Sequence, residues 1–526
     1  MTFVLSEGRA RVLAGLLALT AGALFSLGFL PAAGETLGVT LCALGLLLLF
    51  LAEGETRSGC RCALCGFLFG LAAYGAGLSW VWNSIHFYGG IPAPLAAGAV
   101  LLLAAANALF PAAAGYAAGR LSPPGPRRVF VFALFFFFAD WLRGSALCSF
   151  PWISFGYALA DEALALLVAP LAGVWGVELA GLLSIALLAS FFFQKTSRLT
   201  IAAAAALAGG LGLLFVAADG AWSEPAGMIR VRLVQPALPV AGVPGAERLS
   251  LSERIGRAMA LSRPPEDASG TEPPGLIVWP ESVIPTSLQR IPAETLESFG
   301  REIEALGAPF VFNAFWEETP GRFSNSAFLA LQGEPLQRYD KRHLVPFGEY
   351  VPAGFRWFVD ALGIPMADQI PGRESQKAFQ TEDIAIAPMI CYENLFGDEL
   401  RAFWKKGSEV PDLLLVTSNL AWFSSPVRYQ HLQMSRMRAM ETATPLVSAS
   451  NSGSSAVIDA RGRVLALAGE EPCSLDAEVP LASGGPTPYS RLGDAPAVLS
   501  GALFLALALI SGRLRRKSKN KTPARI

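Results

Sequence analysis

Ile384-Ala-Ile-Ala-Pro-Met-Ile-Cys-Tyr-Glu-Asn394 decides how the second half of this chain is read. Its short apolar run predicts a strand, and the polar Tyr392-Glu393-Asn394 predicts that the strand ends at Cys391. Cys391 then stands on a sharp strand-to-helix turn, a place where a nucleophile can be displayed.

Runs of the same kind predict strands at Ile229–Gln235, Leu276–Trp279, Pro309–Phe315, Ser326–Leu331, Leu413–Ser418, Leu446–Ser450 and Ala456–Asp459. Helical patterns fall at Glu247–Ser262, Ala293–Leu306, Asp398–Lys406 and Val427–Thr442. Strands alternating with helices and hairpins predict a layered α/β sandwich, with functional groups gathered where strands end.

Two further residues sit at such ends. Glu281 follows Leu276-Ile-Val-Trp-Pro280, a strand stopped by proline, and Lys341 lies in Arg338-Tyr-Asp-Lys-Arg-His-Leu-Val-Pro-Phe-Gly-Glu-Tyr350, a charged run entering a Pro/Gly loop. A thiol is largely protonated near neutrality and needs a base, which Glu281 can supply. An ammonium such as Lys341 stabilises the oxyanion formed when a thiolate attacks an acyl carbonyl. Each residue alone also has an ordinary reading: a solvated Glu, a surface Lys, a buried core Cys.

Residues up to about 220 have a different composition, rich in Ala, Leu, Gly and Phe. Apolar stretches near 10–31, 36–53, 62–82, 92–119, 128–143, 163–193 and 198–218, with an eighth near 494–513, approach the roughly 20 residues that a membrane span needs. The expected division is a membrane domain at 1–220, a catalytic domain at 225–490, and a last span with a basic tail at 491–526. Cationic loops alternate: Arg9 and Arg11, Arg57 and Arg61, Arg120, Arg127 and Arg128, Lys195 and Arg198, then the tail. These mark the cytoplasmic sides and turn 225–490 outward. Were the first stretch a cleaved signal peptide, the remaining loop charges would keep that orientation.

A net charge of −1 gives no reason to expect a nucleic-acid partner. The three cysteines Cys60, Cys62 and Cys65 lack a second ligand pair at zinc-finger spacing, so no metal is expected. An oxidising compartment leaves a Cys391–Cys473 disulfide open as an alternative to a free thiol. Asp140 and Arg143 are spaced to pair on one helix face near the membrane interface, and Glu178 is expected to reach water at the end of its long stretch.

Trp279-Pro-Glu-Ser282, Tyr339-Asp-Lys-Arg-His-Leu-Val-Pro-Phe-Gly-Glu-Tyr-Val-Pro352 and Ile390-Cys-Tyr-Glu393, in that order, resemble the nitrilase superfamily. The middle block looks like the apolipoprotein N-acyltransferase family in particular. The resemblance implies about eight transmembrane helices and a nitrilase-like αββα periplasmic domain, in the bacterial inner membrane. It implies Glu281 as general base, Lys341 as oxyanion-stabilising cation and Cys391 as nucleophile, with Glu349, Tyr392 and Glu393 in support. It also implies a ping-pong reaction without a cofactor, in which a membrane phospholipid donates an acyl chain to Cys391. A diacylated apolipoprotein then accepts the chain on its N-terminal amine. Such a thioester beside the bilayer requires an apolar slot. Phe347, Trp422 and Phe423 are candidates, ordinary core packing being the other reading.

The sequence departs from the family pattern at Pro236-Ala237, where Gly-Asn is usual, and at Leu420, where an aspartate is usual. No tryptophan lies between Trp222 and Trp279. Two rival functions share these features: a membrane-tethered amidase using the same three residues, and a multi-pass transporter with an outer binding domain.

Overall fold

The computed structural model describes residues 7–31, 35–56, 58–146, 149–193, 222–240, 247–264, 274–357, 368–405, 409–423, 425–483 and 486–519. The chain divides into two compact units, one comprising Met1–His86, Ile91–Gly220 and Leu492–Ile526, the other Phe87–Gly90 and Ala221–Arg491.

The first unit is helical: α1 (Glu7–Leu27), α2 (Glu35–Glu55), α3 (Gly59–Gly77), α4 (Ala93–Leu121), α5 (Pro126–Trp141), α6 (Ala163–Ser190) and a last helix at Ala495–Lys519. Four of these, Thr36–Glu55, Gly59–Gly77, Ala93–Leu121 and Ala163–Ser190, are long and apolar enough to cross a membrane. Val12–Leu27 and Ala495–Ser511 are apolar but shorter. The expected span at 198–218 lies outside the described residues, as does Cys148.

Small residues bring α3 and α4 together. A Cβ on Gly66 would stand 2.3 Å from the Pro111 carbonyl oxygen, and one on Gly115 would stand 2.5 Å from that of Cys62. Such close backbone approach multiplies van der Waals contacts between the two helices.

Asp140 and Arg143 do pair, at 2.7 Å, but both are buried rather than at an interface. The Arg143 guanidinium also donates to the carbonyls of Phe150 and Trp152 and to Ser154 Oγ. Glu178 does not reach water: it is fully buried, and its Oε2 accepts the Gly156 N–H at 3.3 Å. Gly156 and Gly181 allow the Phe155–Ala158 turn to lie directly on α6, which closes over the carboxylate.

The second unit holds two six-stranded sheets. The first, in order β12-β1-β2-β3-β4-β5, comprises β1 (Glu224–Gln235), β2 (Leu276–Val278), β3 (Phe310–Thr319), β4 (Arg322–Ala330), β5 (Gln337–Asp340) and β12 (Cys473–Ser483). The second, in order β11-β10-β9-β8-β7-β6, comprises β6 (Phe379–Gln380), β7 (Ala385–Ile390), β8 (Leu413–Ser418), β9 (Leu446–Ser450), β10 (Ala456–Ile458) and β11 (Val464–Leu467). The sheets are mixed: β1, β2 and β3 run parallel, as do β7, β8 and β9, and hairpins extend both edges.

Val231, Leu276, Val311 and Ala327 of the first sheet share one core with Ile386, Leu414, Val447 and Val457 of the second. The opposite face of the first sheet, with Ile277, Phe310 and Phe312, packs on helices Leu251–Ser262 and Ala293–Leu306 through Ile255, Met259 and Phe299. Helix Ser425–Thr442 lies against the second sheet, its Leu432 and Ala439 joining the central core. Helix, sheet, sheet and helix are the layers of a nitrilase-like sandwich. The termini have local causes: Ser250 and Glu253 form a reciprocal capping box, and Gly307, at φ 63°, ends the helix begun at Ala293.

The strand expected through Trp279 stops at Val278, two residues before Pro280, which lacks a donor. Asp398–Lys406 is not one helix but an α-turn at Gly397–Leu400 followed by a 3₁₀ turn at Arg401–Trp404.

Candidate active site

Strand ends from both sheets supply the site. Trp279, fully buried between Phe299 and Phe310, donates its Nε1–H to Ser262 Oγ at 2.7 Å and anchors the end of β2. Arg254 clamps the loop beyond, donating to the carbonyls of Ser282, Val283 and Pro239. Glu281 is thereby held inward, its Oε1 accepting Asn325 Nδ2–H at 2.7 Å and its Oε2 the Asn419 backbone N–H at 3.1 Å.

Lys341 begins the loop after β5. Its N–H donates to the Asn325 carbonyl and its own carbonyl accepts the Gly372 N–H, both at 2.8 Å. A side chain on Gly372 would strike the Asp340 carbonyl at 2.2 Å, so only glycine lets these strands of backbone pass. The Lys341 ammonium is 1 % exposed, 2.6 Å from Glu349 Oε1 and 3.8 Å from Glu281 Oε1. Glu349 is fixed in turn by accepting the Val345 N–H at 2.8 Å.

Cys391 ends β7 and opens a 3₁₀ turn, Cys391–Leu395, with φ at +51°. A non-glycine residue in that region carries strain, and such positions gather at functional sites. Glu393 holds the turn: its Oε2 accepts the Ile390 N–H, and its Oε1 accepts the Arg342 N–H and Tyr339 hydroxyl. One carboxylate thus ties the cysteine turn to the loop of Lys341. Cys391 and Cys473 are both free thiols, which removes the disulfide alternative.

The electrostatics follow from burial. Burial raises the Glu281 carboxyl above its ordinary range; Lys341 opposes this and Glu349 adds to it. Burial also disfavours the Lys341 charge, but Glu349 and then Glu281 outweigh it, so the ammonium keeps its proton. The Cys391 thiol is pushed up by burial and by Glu281, with Lys341 and the Asn419 N–H opposing. At rest, therefore, Cys391 is a thiol beside a carboxyl that is a stronger base than usual and an ammonium that stays charged. The set can deprotonate a nucleophile during attack and stabilise an oxyanion.

Of the supporting positions, Glu349 and Glu393 enter the network. Tyr392 instead packs its ring on His343 and Phe396 beneath the turn. Phe347 and Trp422 are 46 % and 38 % exposed, not core. Phe347 stands edge-on to Phe355 and Trp422 edge-on to Tyr88, whose hydroxyl donates to the Ala421 carbonyl at 2.6 Å. Phe423 is half-buried in the adjoining turn. Asn325, Asn419, Tyr339 and His431 are contacts for which no role was foreseen. Their one sequence signal is a polar side chain in, or just past, a strand or helix, as at Asn325 in Arg322–Ala330. No group of three His, Cys, Asp or Glu suited to a metal is found among the described residues.

Residues 21–187 match the apolipoprotein N-acyltransferase N-terminal domain, and residues 230–489 match carbon-nitrogen hydrolase. The apolipoprotein N-acyltransferase of Bordetella bronchiseptica is 37% identical over 89% of this chain and 91% of its own length. That of Ralstonia nicotianae is 35% identical over 85% of this chain and 84% of its own, and that of Methylococcus capsulatus 34% identical over 92% and 93%. Relatives so similar over most of the chain place it in the apolipoprotein N-acyltransferase family, as an acyltransferase that contains a carbon-nitrogen hydrolase domain.

Proposed function

We propose that this enzyme moves a fatty acyl chain from a membrane phospholipid to the α-amino group of the diacylglyceryl-cysteine that begins an apolipoprotein, through a thioester on Cys391. The observation that carries this reading is the contact between Glu281 Oε2 and the Asn419 N–H that also bears on the Cys391 thiol, with Lys341 3.8 Å from the same carboxylate.

Glu281 takes the Sγ proton as the thiolate attacks the ester carbonyl, and Lys341 bears the charge that moves to oxygen. Collapse breaks the ester C–O bond, and the lysophospholipid oxygen leaves with the proton held by Glu281. The acceptor amine then attacks the thioester, Glu281 removes its surplus proton, and cleavage of the C–S bond releases the amide and restores Cys391. Both substrates are lipid-anchored, so they reach the site by lateral diffusion. Phe347 and Trp422, both exposed, and Phe423, half-buried, are the residues assigned to the acyl chain.

The topology proposed with this reaction has seven spans in 1–220, a catalytic domain at 225–490 facing the periplasm, and an eighth span with its basic tail in 491–526. The loop-charge alternation supports it. Mass spectrometry of purified enzyme with phospholipid tests the reaction: an acyl adduct on Cys391, discharged by a diacylated lipopeptide, is expected. Release of the chain only as free fatty acid would assign the amidase reading instead.

A further inference from the structure

His431 sits on helix Ser425–Thr442, buried, and the reaction proposed above gives it no part. Its Nε2 lies 3.2 Å from the carbonyl oxygen of Cys391. A carbonyl only accepts, so Nε2 carries the hydrogen. Asn394 Nδ2 lies 3.4 Å from both ring nitrogens. Both hydrogens of that amide have acceptors elsewhere, the His431 carbonyl at 3.1 Å and Ser435 Oγ at 2.9 Å. Burial lowers the ring's pKa to about 4, so near neutrality the ring carries one hydrogen, and the Cys391 carbonyl places it on Nε2.

In a trans peptide the C=O of one residue and the N–H of the next point in opposite directions within one plane. No peptide bond among the described residues is cis. Pinning the Cys391 carbonyl on His431 therefore fixes the plane shared by Cys391 and Tyr392, and aims the Tyr392 N–H to the side away from His431. The hydrogen bond lies at a residue whose φ is +51°. A backbone N–H next to a nucleophile contributes to oxyanion stabilisation only if its direction is set beforehand.

We infer that His431 is a positioning residue for acyl transfer: its Nε2–H orients the Cys391–Tyr392 peptide so that the adjoining N–H meets the oxyanion of each half-reaction. The inference rests on the thioester reading. It says that His431 acts on the transition state and not on the thiol's readiness to react.

The test uses full-length enzyme and two single-turnover rates, acylation of Cys391 by phospholipid and alkylation of Cys391 by iodoacetamide, which forms no oxyanion. His431→Leu is expected to slow acylation by about tenfold to a hundredfold while alkylation stays within about twofold. His431→Gln, which keeps a donor, is expected to recover most of the loss. Should His431→Leu not fold, His431→Asn, whose donor falls short of Cys391, takes its place with the same outcomes. Unchanged acylation, or acylation and alkylation falling together, would overturn the assignment. If the wild-type enzyme forms no acyl adduct at all, it is the thioester reading that fails.

Discussion

Lys341 places its ammonium 2.6 Å from Glu349 and 3.8 Å from Glu281, so its close partner is not the carboxylate proposed as the base. Glu349 holds the cation off Glu281 and leaves that carboxylate two contacts, Asn325 and Asn419, that are weaker than an ion pair. Two carboxylates around one ammonium thereby divide into an anchor and a base.

Glu349→Gln is expected to undo that division. Removing the Glu349 charge takes away one influence that raises Glu281, and frees Lys341 to close on it, which lowers Glu281 further. A weaker base lowers kcat by about tenfold to a hundredfold, and the acid limb of the pH–rate profile moves to lower pH. Measuring acylation from pH 4 to 9 decides: an unmoved limb would mean that Glu281 is not the group being titrated.

Asn325 touches both sides of the pair, donating from its side chain to Glu281 and accepting Lys341's N–H on its carbonyl. Asn325→Asp sets a second carboxylate against Glu281, and like charge raises the carboxyl pKa. The acid limb is then expected to shift upward, opposite to Glu349→Gln. Asn325→Ala leaves Glu281 with one partner fewer and is expected to cost about tenfold in kcat with little change in KM. Equal profiles for the two Asn325 variants would reject an electrostatic role.

What could be read from the sequence follows the kind of signal each element carries. Leu413–Ser418 and Leu446–Ser450 are buried strands with unmixed apolar cores and have the expected bounds, as does the amphipathic Ala293–Leu306. Cys473-Ser-Leu-Asp-Ala-Glu-Val hides its strand, because polar residues alternate on the outer edge of a sheet. Gln337–Asp340 was masked by the charges around it, although Tyr339 is fully buried and bonded to Glu393. In the candidate site, Glu281 and Cys391 were legible as strand ends, and Lys341 as a cation entering a Pro/Gly loop. Asn325, Asn419 and His431 were not, because a positioning contact depends on which chain segments meet, and no spacing along the chain encodes that.

The same limit explains Glu178 and Asp140. Spacing foretold the Asp140–Arg143 pair but not its burial, which makes Arg143 a hub for Asp140, two backbone carbonyls and Ser154. Arg143→Met is expected to destabilise the membrane unit by about 3–5 kcal/mol, since it strands a buried carboxylate. Adding Asp140→Asn removes the stranded charge and is expected to restore part of the loss. Thermal unfolding of the detergent-purified variants measures both. A single variant as stable as the wild type would show that Arg143 is not the counter-charge.

His431 also predicts how stability responds to pH. Its pKa is about 4 in the fold and near 6.5 in an unfolded chain. Above pH 6.5 the ring is neutral in both states and contributes nothing to the dependence. As pH falls from 6.5 toward 4, the unfolded chain takes up a proton that the folded one excludes, so stability is lost across that window, by up to about 3 kcal/mol. Glu281 and Glu393, both raised by burial, act in the opposite sense as pH falls, because the fold binds their protons first. The contribution of His431 is therefore a difference: the melting temperature at pH 7.5 minus that at pH 5, for the wild type against His431→Gln. The wild type is expected to lose more, and equal losses would show that the imidazole takes up its proton in the fold as readily as in the unfolded chain.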